Sequence, residues 1–295
     1  MSLIKNPFGK SNLLVWRTES IFFNEERRKL AGEWNLLRFT ALPYPKEPHL
    51  TNSSLKGKLP YPDHCFDSVY SFHVFEHLSY EEGIHALREL HRVLKPGGIC
   101  RISTPDLEFF AREYVQQLDV LDQEGTDARQ DFRYEWSCLN VIDQAVRKKS
   151  GGRMAEVLRA NNVDKTYLKY LNGDSLNFVV DPNHKQSMDS PRRPTYFDGS
   201  PAPLVFRMQK LVWAVVRRVL LRLSPGLDVE IQNERNRWLY DRISLAKVFK
   251  AAGFSEIAIQ EYNTSQIEDW ERYDYDSSLF GKYPLEPSLF MEGKK

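Results

Sequence analysis

The chain has 295 residues, 41% hydrophobic and 27% charged, values that suit one soluble globular core with a cap. Forty-one Lys and Arg stand against 40 Asp and Glu, and a formal charge of +1 offers no field to draw nucleic acid. No run reaches the roughly 18 consecutive apolar residues of a spanning helix, and the opening MSLIKNPFGKS lacks the apolar run of a signal peptide.

In chain order, Leu13 to Trp16 reads as a short strand, Asn24 to Gly32 as a charged helix, and Leu36 to Leu42 as a second strand. Scattered Pro, Asn, Ser and Gly predict a loop from Pro43 to Lys58. Ser68 to Phe72 carries β-formers and predicts a strand. A helix from Tyr80 to Leu94 follows. Ser79 and Glu82 have the spacing of a capping box, and Ile84, Leu87, Leu90, His91 and Leu94 supply a face for a sheet. Pro96-Gly97-Gly98 stops it, and Ile99 to Ser103 is the next strand. Strand, helix and strand in this order predict a crossover in a parallel sheet.

Beyond Leu107 the chain predicts helices at Glu108–Val120, Ser137–Arg147 and Arg153–Ala160, then a loop from Asp181 to Pro203. On a helical wheel, Arg207, Lys210, Arg217, Arg218 and Arg222 share one arc of about 140°, interrupted by Leu211 and Ala214. Met208, Val212, Trp213, Val215, Val216, Val219 and Leu220 cover most of the rest, a pattern fit for a membrane surface, the sheet or a protein partner. Ser244 to Ala252 predicts a helix, Glu256 to Gln260 a strand and Ser288 to Met291 a closing strand. Cys65, Cys100 and Cys138 form no CxxC pair, so the expectation is reduced thiols and a cytoplasmic protein, peripheral at the inner membrane surface if 207–222 meets lipid.

Phe66-Asp67-Ser68-Val69-Tyr70, His73-Val74-Phe75-Glu76-His77-Leu78 and Leu94-Lys95-Pro96-Gly97-Gly98 resemble consecutive blocks of class I S-adenosylmethionine-dependent methyltransferases. With Pro105-Asp106-Leu107, Trp238-Leu239-Tyr240-Asp241-Arg242 and the stretch Ser288 to Lys294, they are similar to small predicted methyltransferases encoded among bacterial polysaccharide and glycosyltransferase genes. The resemblance implies one α/β, Rossmann-like domain over 1–295, with a mostly parallel sheet, a C-terminal antiparallel hairpin and a helical insertion at 107–235. It also implies S-adenosylmethionine as cofactor, held near Val15, Trp16, Ser71, Phe72 and His73.

The chain departs from that family at three places. Arg17-Thr18-Glu19-Ser20 brings no glycine where a glycine-rich loop lets backbone approach the cofactor, Leu36-Leu37-Arg38 brings no acid for the ribose, and Asn52-Ser53-Ser54 stands where an aspartate is usual.

His73, at the carboxyl end of its strand, is positioned to take a proton from a hydroxyl or amine, or to bond a nearby carbonyl. Glu76 is placed to orient His73 or His77, and Asp106 to position a substrate or to cap the next helix. These three are the catalytic candidates, and His77, Arg112, Tyr114 and Tyr240 the substrate-binding ones. His73-Val74-Phe75-Glu76-His77 also fits an HxxEH zinc pattern, but its place at a strand-to-helix junction explains it without metal, and none is expected.

Two functions stay open. One is methyl transfer to an oxygen or nitrogen of a small-molecule, sugar or lipid-linked acceptor. The other is a repurposed fold that does not use S-adenosylmethionine, either running another reaction in the same pocket or serving as a non-catalytic partner subunit.

Overall fold

The computed structural model describes residues 3–7, 9–16, 33–39, 50–159, 163–173, 204–223, 235–273, 275–277 and 287–295. The predicted helix Asn24 to Gly32, the segment Arg17 to Ser20 and the loop Asp181 to Pro203 lie outside them.

Seven strands form one sheet: β1 (Asn12–Trp16), β2 (Asn35–Phe39), β3 (Leu50–Ser53), β4 (Phe66–Phe72), β5 (Leu94–Pro105), β6 (Ser255–Gln260) and β7 (Ser288–Lys294). Their order across the sheet is β3-β2-β1-β4-β5-β7-β6. The strands from β3 to β5 pair in parallel, and β7 runs antiparallel between β5 and β6. This is the expected class I methyltransferase-like, Rossmann-like sheet with its antiparallel C-terminal hairpin.

Alternation along the strands builds a core on each face. Leu13, Val15, Val69, Cys100 and Ile102 point to one side, where α1 (Tyr80–Val93) and α7 (Arg242–Ala251) cover them with Leu87, Leu90, Val248 and Phe249. Leu14, Leu36, Tyr70 and Ile99 face the other side and meet Trp34, Ile267, Tyr275, and Trp270 and Tyr273 of α8 (Trp270–Tyr273). Four helices follow β5: α2 (Leu107–Glu124), α3 (Ala128–Val146), α4 (Gly152–Val157) and α5 (Lys165–Asn172). They close a separate core around Phe132, Trp136, Met154 and Leu168. Helix α6 (Leu204–Leu223) completes the set among the described residues.

The capping box of α1 is fully formed, with Ser79 Oγ accepting from Glu82 N–H and the Glu82 carboxylate accepting from Ser79 N–H. Gly98, in the irregular first part of β5, sits where a Cβ would lie 2.9 Å from the carbonyl oxygens of Asp67 and Lys95, so no side chain is admitted there. Strand β3 is a correction: a loop was expected across Leu50–Ser53. Its sequence, LTNS, has no alternating apolar pattern, and it is an edge strand ordered by its ladder to β2.

Arg101, in the middle of β5, is fully buried. Its guanidinium donates to Asp276 and Glu292 at 2.8 Å each and to the carbonyls of Glu261 and Thr264, and it lies 4.7 Å from the Trp270 ring centroid. Tyr70 Oη donates to the other oxygen of Asp276. The segment 261–277 is thereby fastened to β4, β5 and β7 by charge-assisted bonds in a dry environment.

Candidate active site

The carboxyl ends of parallel strands are where an open α/β sheet presents ligand-binding groups. At the end of β4, His73 adopts φ +46°, and its N–H donates to Ser103 O of the neighbouring strand at 2.9 Å. The turn leads into a single 3-10 turn, Phe75–His77, before Ser79 starts α1. The compact path carries His73, Glu76 and His77 into one cluster.

Glu76 is 2% exposed and lies between the two rings, with Oε1 3.4 Å from His73 Nδ1 and 3.5 Å from His77 Nε2. Thr104 Oγ1 donates to its other oxygen at 3.4 Å. Its main-chain carbonyl accepts from Arg237 N–H and Trp238 N–H, tying the turn to the late block of the chain. Burial pushes the Glu76 carboxyl up, but the neighbouring His77 and the hydrogen bond from His73 outweigh it and hold the group at about 2.

The outer partners of the two rings differ. His77 Nδ1 lies 2.9 Å from the carbonyl of Arg235, so this ring faces an acceptor on each nitrogen, the arrangement an imidazolium satisfies. His73 Nε2 lies 2.9 Å from Ser288 Oγ. With its Nδ1–H directed at Glu76, His73 can accept from the Ser288 hydroxyl at Nε2, and the fold sets Ser288, His73 and Glu76 in that order. Ser288 starts β7 opposite Pro105.

The remaining candidates scatter. Val15 and Ser71 are register partners on β1 and β4, both fully buried, and the Phe72 ring centroid is 4.5 Å from that of His73. Trp16 ends β1 beside Phe72, and only its backbone is described. Asp106 caps α2, accepting from Glu108 N–H at 2.9 Å, and burial raises its carboxyl. The four substrate-binding candidates, Tyr240, His77, Arg112 and Tyr114, lie in different surroundings. Tyr240 is fully buried in the core, its hydroxyl aimed at Gly83 of α1. His77, its side chain 3% exposed, is consumed by Glu76 and Arg235. Arg112 is on the open face of α2, paired with Glu108 one turn away. Tyr114 meets Tyr134 of α3, on the insertion helices rather than in the His73 cluster.

Sequence reasoning missed Ser288 and Thr104. Ser288 is 215 residues from His73, and no local pattern announces that the β5–β7 register brings them together.

Residues 39–102 match the model of a methyltransferase domain family. The chain is similar to S-adenosylmethionine-dependent methyltransferases of known structure. One from Methanosarcina mazei is 9% identical, with 96% of this chain and 92% of that chain covered and a TM-score of 0.38. One from Mesorhizobium loti is 10% identical, over 100% of this chain and 94% of that one, with a TM-score of 0.37. One from Thermotoga maritima is 11% identical, over 97% and 82%, with a TM-score of 0.36.

Proposed function

We propose that this protein transfers a methyl group from S-adenosylmethionine to an oxygen or nitrogen of a small-molecule, sugar or lipid-linked acceptor, with His73 as the base. The observation that carries the reading is an imidazole at the carboxyl edge of the sheet, backed by an ionised Glu76 and with Nε2 directed outward to Ser288.

The described residues near that edge fit a polar cofactor. Among them Ser71 Oγ, Ser103 Oγ and Asn52 Oδ1 are buried without a hydrogen-bond partner, and a ligand's polar groups would satisfy them. Val15, Trp16, Ser71, Phe72 and His73 would hold the group. Arg38, at the end of β2, only donates, so ribose hydroxyls would need their acceptor elsewhere.

When bound, the cofactor supplies an electrophilic methyl on a sulfonium centre. The chain's own work is orientation and removal of one proton. With the methyl carbon's bond to sulfur exchanged for one to the acceptor's oxygen or nitrogen and the demethylated thioether released, the acceptor's proton would pass to His73 Nε2, directly or through the Ser288 hydroxyl. Glu76 stabilises the imidazolium that results.

A second reading rests on Ser288 itself. A hydroxyl 2.9 Å from a carboxylate-backed imidazole has the order of a nucleophile, base and acid, which suits a repurposed pocket performing acyl transfer. There Ser288 Oγ would bond to an ester carbonyl carbon, its proton going to Nε2 and then to the departing alkoxide.

Titration calorimetry with S-adenosylmethionine and its demethylated product separates the two. Methyl transfer predicts saturable binding, and in His73→Ala a fall in turnover of about 100-fold that exceeds the loss of binding. No binding to folded protein, together with fluorophosphonate labelling lost in Ser288→Ala, overturns methyl transfer in favour of the second reading.

A further inference from the structure

Along α6, eight apolar side chains between Leu204 and Val219, Val205 and Val216 among them, are 50–68% exposed. At about 100° per residue they fall within one arc of about 140°, a continuous stripe along a helix roughly 30 Å long. On α1, by contrast, Leu87 and Leu90 are fully buried against the sheet. An open apolar stripe of this kind marks a surface meant to be covered.

The charge pattern selects what covers it. Between Leu204 and Leu223 there is no Asp or Glu, while Arg207, Lys210, Arg217, Arg218 and Arg222 are positive. Helical register sets Arg207, Lys210, Arg217 and Arg218 on the arc adjoining the stripe, and Arg222 within the stripe's edge. Two copies packed through α6 would bring like charges together. Crossing a bilayer is a poor fit as well: no helix among the described residues is long and apolar enough. An anionic lipid surface is apolar beneath and negative at the headgroups, and it complements both halves of the helix at once.

We propose that α6 docks this protein on an anionic lipid surface, its stripe lying among the upper acyl chains and its cations meeting the phosphates. The proposal holds whichever reaction the pocket runs.

The test is co-sedimentation of the full chain with vesicles of phosphatidylcholine alone or with about 30% phosphatidylglycerol. Wild type is expected to bind the anionic vesicles at least about tenfold more tightly, with the preference weakening at about 0.5 M salt. Leu211→Asp with Val215→Asp should lower binding by about tenfold or more, because both exposed positions then carry charge that resists immersion. Arg217→Glu with Arg218→Glu should remove the lipid preference while leaving the circular dichroism and melting of the protein intact. Equal pelleting of wild type and the Leu211/Val215 variant overturns the proposal. So does light scattering that shows a dimer lost in that variant, which would give the stripe to a second copy.

Discussion

Glu76→Gln keeps the shape of a buried side chain and removes its charge from between His73 and His77. The carboxyl falls from its ordinary 4.5 to about 2, which corresponds to roughly 3 kcal/mol of stability. Burial opposes ionisation here, so this figure is what remains after the two imidazoles and their hydrogen bonds have outweighed it. Because the folded-state pKa is depressed, the contribution is complete above the unfolded value of 4.5 and is lost as pH falls toward about 2. Urea unfolding of both proteins at about pH 5 should show the variant less stable by roughly 3 kcal/mol, and the gap should close on acidification through about pH 3. A gap under about 1 kcal/mol at pH 5, or one that stays constant to pH 3, refutes an ionised Glu76 held by the two rings.

Gly83→Ala would place a Cβ 2.5 Å from the Tyr240 hydroxyl and should lower stability by about 1–3 kcal/mol, read from thermal melts. That hydroxyl is buried with no hydrogen-bond partner, so Tyr240→Phe should be neutral or stabilising and should restore most of the loss in the double variant; a double variant no better than Gly83→Ala refutes the clash. Arg101→Met strands the buried carboxylates of Asp276 and Glu292 and should cost about 3–5 kcal/mol in urea unfolding, with a loss under about 1 kcal/mol arguing that the pair carries no charge.

What could be read in the sequence was local. The Ser79–Glu82 box and the β-formers on either side of α1 act within a few residues and appear where expected, whereas the helix already ends at Val93 and Pro-Gly-Gly lies inside β5, where the register to β4 is irregular. Asp241 acts as locally, capping α7 through Ile243 and Ser244. Strand β3 was not, since LTNS becomes a strand only when β2 offers it a ladder. The site was half legible: His73 and Glu76 are three residues apart, while the rings' outer partners, the Arg235 carbonyl and Ser288, come from the last residue of the insertion and from beyond it. Tyr240 was misplaced because an aromatic in a recognised block says nothing of which way its ring turns. Arg101 hid in an apolar strand, and its partners are at positions 276 and 292.

The place of β7 between β5 and β6 also orders events during synthesis. Strand β5 ends at Pro105, and its outer neighbour begins at Ser288, so a long stretch of chain must be made before that edge is paired. Until then β5 presents open amides and carbonyls flanked by Cys100 and Ile102, a template for unwanted pairing with other nascent chains. Contacts this distant in sequence also form slowly. The same strand delivers Ser288 to His73, and Glu292 to Arg101. A ribosome-bound chain stopped before position 288 has neither the closed edge nor the finished constellation, so any activity that depends on Ser288 begins only after the sheet is sealed.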